Sequence, residues 1–147
     1  MTIDAPKFTW QGRHPAITAA SILCYIMGVG WSIGAPRTIS YMIRNRALRV
    51  IDSPFGQFRG MSGPFEALGM DAMILLAILF STINLLYILA GHWLWKSRRK
   101  GSMLAISLLA LSVVFWLGFA LPFGLLVGPL LAGLLAVGWK SLRGGGS

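Results

Sequence analysis

Long apolar stretches, separated by short polar and charged clusters, organise this chain. The clearest runs from Gly101 to Trp139, 39 residues without a charged side chain, interrupted only by Pro122 and Pro129. As one straight helix, residues 103–139 would measure about 55 Å at 1.5 Å per residue, against a bilayer core of about 30 Å. The run is therefore divided. Leu121-Pro122-Phe123-Gly124 is the natural break, since proline removes a backbone donor and glycine permits a tight turn. A re-entrant hairpin in place of the last two helices is the alternative. The pattern predicts an all-α integral membrane protein, a four-helix transmembrane bundle with spans at about 15–35, 72–95, 103–121 and 124–139. The fourth span is short by this measure.

Two segments between the first and second spans read differently. Over 36–51, Ile39, Met42, Ile43, Ala47, Val50 and Ile51 share one helical face, with Arg37, Arg44 and Arg49 off it. This predicts an amphipathic helix lying in the interface, with Arg46 snorkelling its charge to the head groups. Pro36 fits a fresh helix start, or alternatively a first helix that simply extends beyond the membrane. Residues 52–71 are rich in turn formers and predict an outer loop. Phe55 and Phe65 in that loop, with Phe123 in the third connection, are candidates for an apolar contact surface on the outer face.

Composition confirms the class. Of 147 residues, 56% are hydrophobic and 12% charged, roughly half the charged share of a soluble domain. One membrane domain over 1–143 is expected, followed by a flexible glycine-rich tail at 144–147. The net charge of +9 does not indicate nucleic acid, because the bases flank apolar segments as they do in membrane proteins. Such bases favour contact with the lipid bilayer and its anionic lipids.

Four spans place both termini on one side. Lys7, Arg13, Lys96, Arg98, Arg99, Lys100, Lys140 and Arg143 then fall at the terminal side, and Arg37, Arg44, Arg46, Arg49 and Arg59 at the other. Eight against five predicts cytoplasmic termini. Trp10, Trp93, Trp95 and Trp139 map to the inner interface, Trp31 and Trp116 to the outer one, as an aromatic belt. The first apolar stretch lacks a convincing signal-peptidase site, and no organellar presequence is evident; a bacterial inner membrane is the expected location.

Candidate chemistry is sparse. No Asp, Glu, Lys or Arg falls within a predicted span, whereas proton-coupled carriers and pumps keep buried ionisable groups. Small residues recur at four-residue spacing: Ala20, Cys24 and Gly28, then Gly30 and Gly34, then Gly124 and Gly128. They predict close helix contacts, within the chain or with a partner. Asn84 is the most polar point of the second span and is expected to bond across a helix interface. His14 and His92 both map to the inner interface, where two imidazoles can in principle ligate a haem b iron axially. Asp71 reads as a helix N-cap, or with Glu66 as a carboxylate pair. The chain has one cysteine, which excludes a disulfide framework, and it has no nucleophile elbow, phosphate loop, zinc-binding helix or EF-hand. Contact features outweigh chemical ones. The expected function is a non-catalytic accessory or scaffold subunit, whose partners are other membrane subunits or copies of itself. A small homo-oligomeric channel lined by Asn84, Thr18, Ser21 and Tyr25, and a haem- or quinone-linked electron-transfer subunit, are the alternatives.

Overall fold

The computed structural model describes residues 14–54 and 56–142. Four long helices carry the fold: α1 over Pro15–Asn45, α2 over Met70–Trp95, α3 over Arg99–Gly118 and α4 over Pro122–Gly138. All four are long and apolar enough to cross a membrane, α4 when its last turn to Ser141 is included. Between α1 and α2 lie a two-stranded hairpin, β1 over Val50–Ser53 and β2 over Gly56–Arg59, and a short 3-10 turn at Pro64–Leu68. The tail at 144–147, Phe55, Trp10, Lys7, Arg13 and Arg143 lie outside the described residues.

The helices pack as an up-and-down ring, and glycines mark most of the seams. Gly28 of α1 faces Ile88 and the Asn84 carbonyl of α2, and Gly91 of α2 lies against Ser21, Cys24 and Tyr25. Gly101 of α3 rests on Trp93 and Leu94, Gly124 and Gly128 of α4 on Trp116 of α3, and Gly138 on Ile17 of α1. The last contact closes the ring and gathers the start of α1 and the end of α4 at one end of the bundle. Small residues let backbones approach where lipid is as apolar as protein, so packing is the main source of cohesion. A Cβ on Gly101 would meet the Leu94 nitrogen at 2.6 Å, closer than any real side chain approaches. Within the bundle interior, hydrogen bonds cross between helices among the described residues: the Ser21 hydroxyl donates to the Gly91 carbonyl (2.7 Å), and Tyr87 and Ser112 share one at 3.2 Å.

Several expectations change here. The segment 36–51 is not a separate interfacial helix. α1 runs through Pro36 without a break to Asn45, and 50–53 is already strand. Pro36 forfeits only one intrahelical bond, which a membrane helix tolerates. At 31 residues α1 measures about 46 Å, so it outreaches the about 30 Å core by several turns. Arg46 then ends it in the left-handed region (φ 50°), its N–H bonded back to the Met42 carbonyl at 3.0 Å.

The break between α3 and α4 falls as expected, but its device differs. Ala120 takes the left-handed position (φ 48°), with Leu121 N–H donating to the Trp116 carbonyl (2.8 Å) and Ala120 N–H to Leu117 (3.3 Å). Ser97 (φ 54°) does the same between α2 and α3, through Arg98 to Trp93 (2.9 Å) and Ser97 to Leu94 (2.7 Å). Both are the reciprocal pair of bonds that usually ends on glycine.

Trp116 does not belong to an interfacial belt. It is 3% exposed, because α4 presents the two glycines that receive its indole. Trp31 is half-buried, edge-on to Phe80 (centroids 4.9 Å apart), while Trp139 at the terminal end lies under the Arg99 guanidinium (5.3 Å).

Candidate functional site

Most polar groups inside the bundle are already bound, the Asn84 Oδ1 and the buried Ser102 hydroxyl excepted. Beyond the two interhelical bonds, Ser32 donates to the Gly28 carbonyl (2.6 Å), Ser81 to Ala77 (2.7 Å) and Thr82 to Ile78 (3.0 Å). Asn84 does not bridge helices as expected. Its amide nitrogen donates to the Phe80 carbonyl one turn earlier on its own helix (2.8 Å), and its Oδ1 has no partner. The interhelical bonds fall instead to Ser21, which the sequence offered only as a channel-lining candidate, and to Tyr87, which sequence patterning did not single out. Ser21 and Asn84 are both buried within the single chain. A pathway between copies lined by them is not available in this packing.

The interior between the helices is filled with aromatic rings. Phe80 stacks on Phe115 (5.3 Å) and tilts against Phe119 (5.9 Å), and Phe65 from the loop meets Phe119 edge-on at 5.1 Å and Phe115 at 6.1 Å. Aromatic pairs at such distances add to simple burial. Phe65 is thereby a plug, lodged over Gly118 of α3. Phe123 faces outward at 77% exposure. The structure therefore separates Phe65 from Phe123 rather than joining them on one surface, and Phe55 lies outside the described residues.

The loop and hairpin form a cap fastened at several points. Gly63 passes so close to α3 that a Cβ there would meet the Gly118 carbonyl oxygen at 2.6 Å and the Ala120 nitrogen at 2.8 Å. Its φ of 152° also favours glycine. The Glu66 carboxylate accepts from the Gly63 N–H at 3.2 Å and lies 3.9 Å from Arg59. Asp71 is not a cap for α2, whose N-cap is Gly69; it pairs instead with Arg46, tying the end of α1 to the start of α2. That carboxylate raises the Arg46 guanidinium further above its ordinary range, through the hydrogen bond first and charge second. Glu66 and Asp71 thus serve different arginines and do not form a carboxylate pair.

The two histidines share the terminal end but are not brought together. His14 caps α1, its Nδ1 accepting from the Ala16 N–H at 3.3 Å. His92 is exposed on α2 beside Gly91, which packs level with Ser21. Seven residues of α1 separate that level from His14, about 10 Å along the axis. Axial ligation of one iron needs two imidazoles opposed across it. Among the described residues no group of three or more His, Cys, Asp or Glu is placed to hold a metal ion.

Of the small-residue positions, Ala20, Cys24, Gly28, Gly124 and Gly128 are buried within the chain. Gly30 and Gly34 are not, and neither is Gly133: a Cβ at any of the three would meet nothing within 4 Å. The fold and this geometry define a four-helix integral membrane protein with a filled interior. Comparison with protein-family models, with curated proteins and with solved structures finds no match.

Proposed function

We propose that the chain is a non-catalytic accessory or scaffold subunit of a larger membrane complex, contributing contact surface rather than chemistry. The observation that carries this reading is the commitment of most of the bundle's polar groups to its own structure: Ser21, Ser81, Thr82, Tyr87 and the Asn84 amide nitrogen to bonds between or along helices, Asp71 and Glu66 to arginines, His14 to a helix start, with the Ser102 hydroxyl and Asn84 Oδ1 as buried exceptions. What else stays uncommitted is mainly surface. On α4, Phe123, Leu126, Leu130, Gly133 and Val137 recur at alternating three- and four-residue steps and are exposed, Phe123, Leu126 and Val137 at 77%, 73% and 68%. Exposed aliphatics alone are ordinary against lipid. Gly133 is the discriminating member, because an unpacked glycine in a helix interior is about 1 kcal/mol less favourable than alanine. A partner's helix resting there would use the missing side chain, as Trp116 uses Gly124. The orientation that fits has both termini in the cytoplasm of a bacterial inner membrane, supported by eight bases at the terminal end against five at the hairpin end.

Purification from native membranes in mild detergent tests the assignment. The chain is expected to migrate with at least one other polypeptide in fixed ratio. Gly133→Trp should strip that polypeptide without lowering the melting temperature of the isolated chain, since a Cβ at 133 meets no atom of this chain within 4 Å. Recovery as a lone monomer would overturn the proposal.

A further inference from the structure

Five arginines stand at the hairpin end, and among the described residues two of them pair with carboxylates. Arg46 pairs with Asp71 and Arg59 with Glu66. Among the described residues, Arg37, Arg44 and Arg49 have none. These three line one concavity of ≈ 510 Å³, together with Ser40, Tyr41 and Asn45. Arg37 and Arg49 also stand at the head of an adjoining trough of ≈ 490 Å³, whose other walls include Ile26, Met27, Trp31 and Ile51. The trough is bare backbone at Gly30 and Gly34, where nothing else approaches. A cavity lined by three arginines and one with apolar walls thus share Arg37 and Arg49.

We propose that these joined cavities hold a single anionic phospholipid, its phosphate among Arg37, Arg44 and Arg49 and one acyl chain along Gly30 and Gly34. Charge is the first argument. Arginine forks match phosphate oxygens, and three uncompensated cations in one concavity favour an anion over a zwitterion. Depth is the second. Arg37 lies on α1 between Trp31, which meets Phe80 inside the bundle, and Arg46, which meets Asp71 at the start of α2. A cation at that level is best satisfied by a head group at the boundary itself. Shape is the third. Arg49 and Ile51 of the hairpin segment wall the trough together with Arg37, while Ile26, Met27 and Trp31 supply apolar walls, so one groove offers cations to a phosphate and an apolar track to an acyl chain. The site is separate from the α4 face, so it stands or falls independently of the partner proposed above.

Native mass spectrometry of the full chain tests this, using phosphatidylglycerol, phosphatidylcholine and inorganic phosphate as separate probes. One phosphatidylglycerol should be retained per chain, and phosphatidylcholine released. The variant R37Q/R44Q/R49Q should weaken retention roughly a hundredfold, from three surface cations of ordinary strength. The control R46Q/R59Q, which also removes arginines, should retain the lipid. Gly34→Leu adds a side chain to the trough from a position where a Cβ meets nothing within 4 Å, so it should expel phosphatidylglycerol from a protein whose melting temperature is not lowered. Equal retention of the two lipids, equal retention by the triple variant, or indifference to Gly34→Leu would overturn the proposal. So would inorganic phosphate displacing the lipid fully, which would make this a free-phosphate site, and so would crosslinking of Gly34→Cys to another protein's helix.

Discussion

Substituting Gly63 by alanine isolates the cap as a unit of stability. The added methyl would lie 2.6 Å from the Gly118 carbonyl oxygen, 2.8 Å from the Ala120 nitrogen and 2.9 Å from the Phe119 carbonyl carbon. All three are backbone atoms of the α3 terminus, which cannot swing aside as a side chain can. Overpacking of this kind costs about 1–3 kcal/mol, and holding alanine at a glycine-only φ adds about 1–3 kcal/mol. The chain has a cheaper response, which is to undock the cap, and the free energy of undocking sets the ceiling on the damage. Undocking exposes Phe65, losing about 1.5–3 kcal/mol of burial and two ring contacts, to Phe115 and Phe119, at about 0.5–1.5 kcal/mol each. The loop regains conformational entropy of about 1–2 kcal/mol for each residue freed, which offsets much of that. A net local loss of about 2 kcal/mol is expected, with the helices intact. Hydrogen exchange reads it directly: amides of 56–69 should exchange on the order of 30-fold faster, with α2 and α3 protection unchanged away from the contact. Gly118→Ala pushes on the Phe65 ring from the other side and should produce the same release. Because both variants open one contact, the double variant should exchange no faster than either single one. Additive effects, or a Gly63→Ala protein with wild-type cap protection, would refute the reasoning.

Three further outcomes are expected of the purified chain in detergent, read by thermal or chemical denaturation. Ala120→Gly should stabilise by up to about 1 kcal/mol, because a left-handed non-glycine costs about 1–2 kcal/mol and the added unfolded-state freedom returns part of it; Ala120→Val should destabilise. Ser21→Ala should cost about 0.6–1.7 kcal/mol through its lost bond to Gly91, whereas Asn84→Leu should lie within about 1 kcal/mol of wild type, since Asn84 bonds only its own helix and leaves Oδ1 without a partner. Gly124→Ala and Gly133→Ala should move stability in opposite directions. The first drives a methyl into the Trp116 indole at about 1–3 kcal/mol, and the second gains up to about 1 kcal/mol of helix propensity against no steric cost.

The spans were legible because the lipid requirement is written residue by residue into composition. The expected bounds 15–35, 72–95, 103–121 and 124–139 became 15–45, 70–95, 99–118 and 122–138. The discrepancies sit where hydropathy stops being informative. Arg37 ended the first span on paper, but charge at a helix end limits burial and not helicity, so α1 continues beyond the apolar stretch through Arg44 to Asn45. Arg99 and Lys100 join the first turn of α3 for the same reason. The hairpin had a readable signal in Pro54 and Gly56, and its register pairs Ser53 with Gly56 across a two-residue link. The Asp71 partner was not readable, because it depends on where a helix 25 residues earlier happens to end.

Glycine shows most clearly what a linear pattern withholds. Gly28, Gly30 and Gly34 lie within seven positions of one helix, and Gly124, Gly128 and Gly133 within ten of another. Spacing alone treats them alike. Yet Gly28, Gly124 and Gly128 each seat a named side chain of a neighbouring helix, and the other three face open space. Rotation of 100° per residue explains the split on α1: Gly28 and Gly30 differ by about 200°, so a face that receives α2 at the first must turn away at the second. The same glycine is thus a gain where backbones touch and a propensity loss of about 1 kcal/mol where nothing does. A chain that carries three such losses on lipid-facing helices is more economically explained by occupants that restore the contact than by tolerance of all three. On the two proposals above, the arginines above Gly30 and Gly34 favour an anionic, amphiphilic occupant, and the uncharged surroundings of Gly133 favour a helix. The two proposed faces would therefore take different partners, and loss of one should leave the other bound.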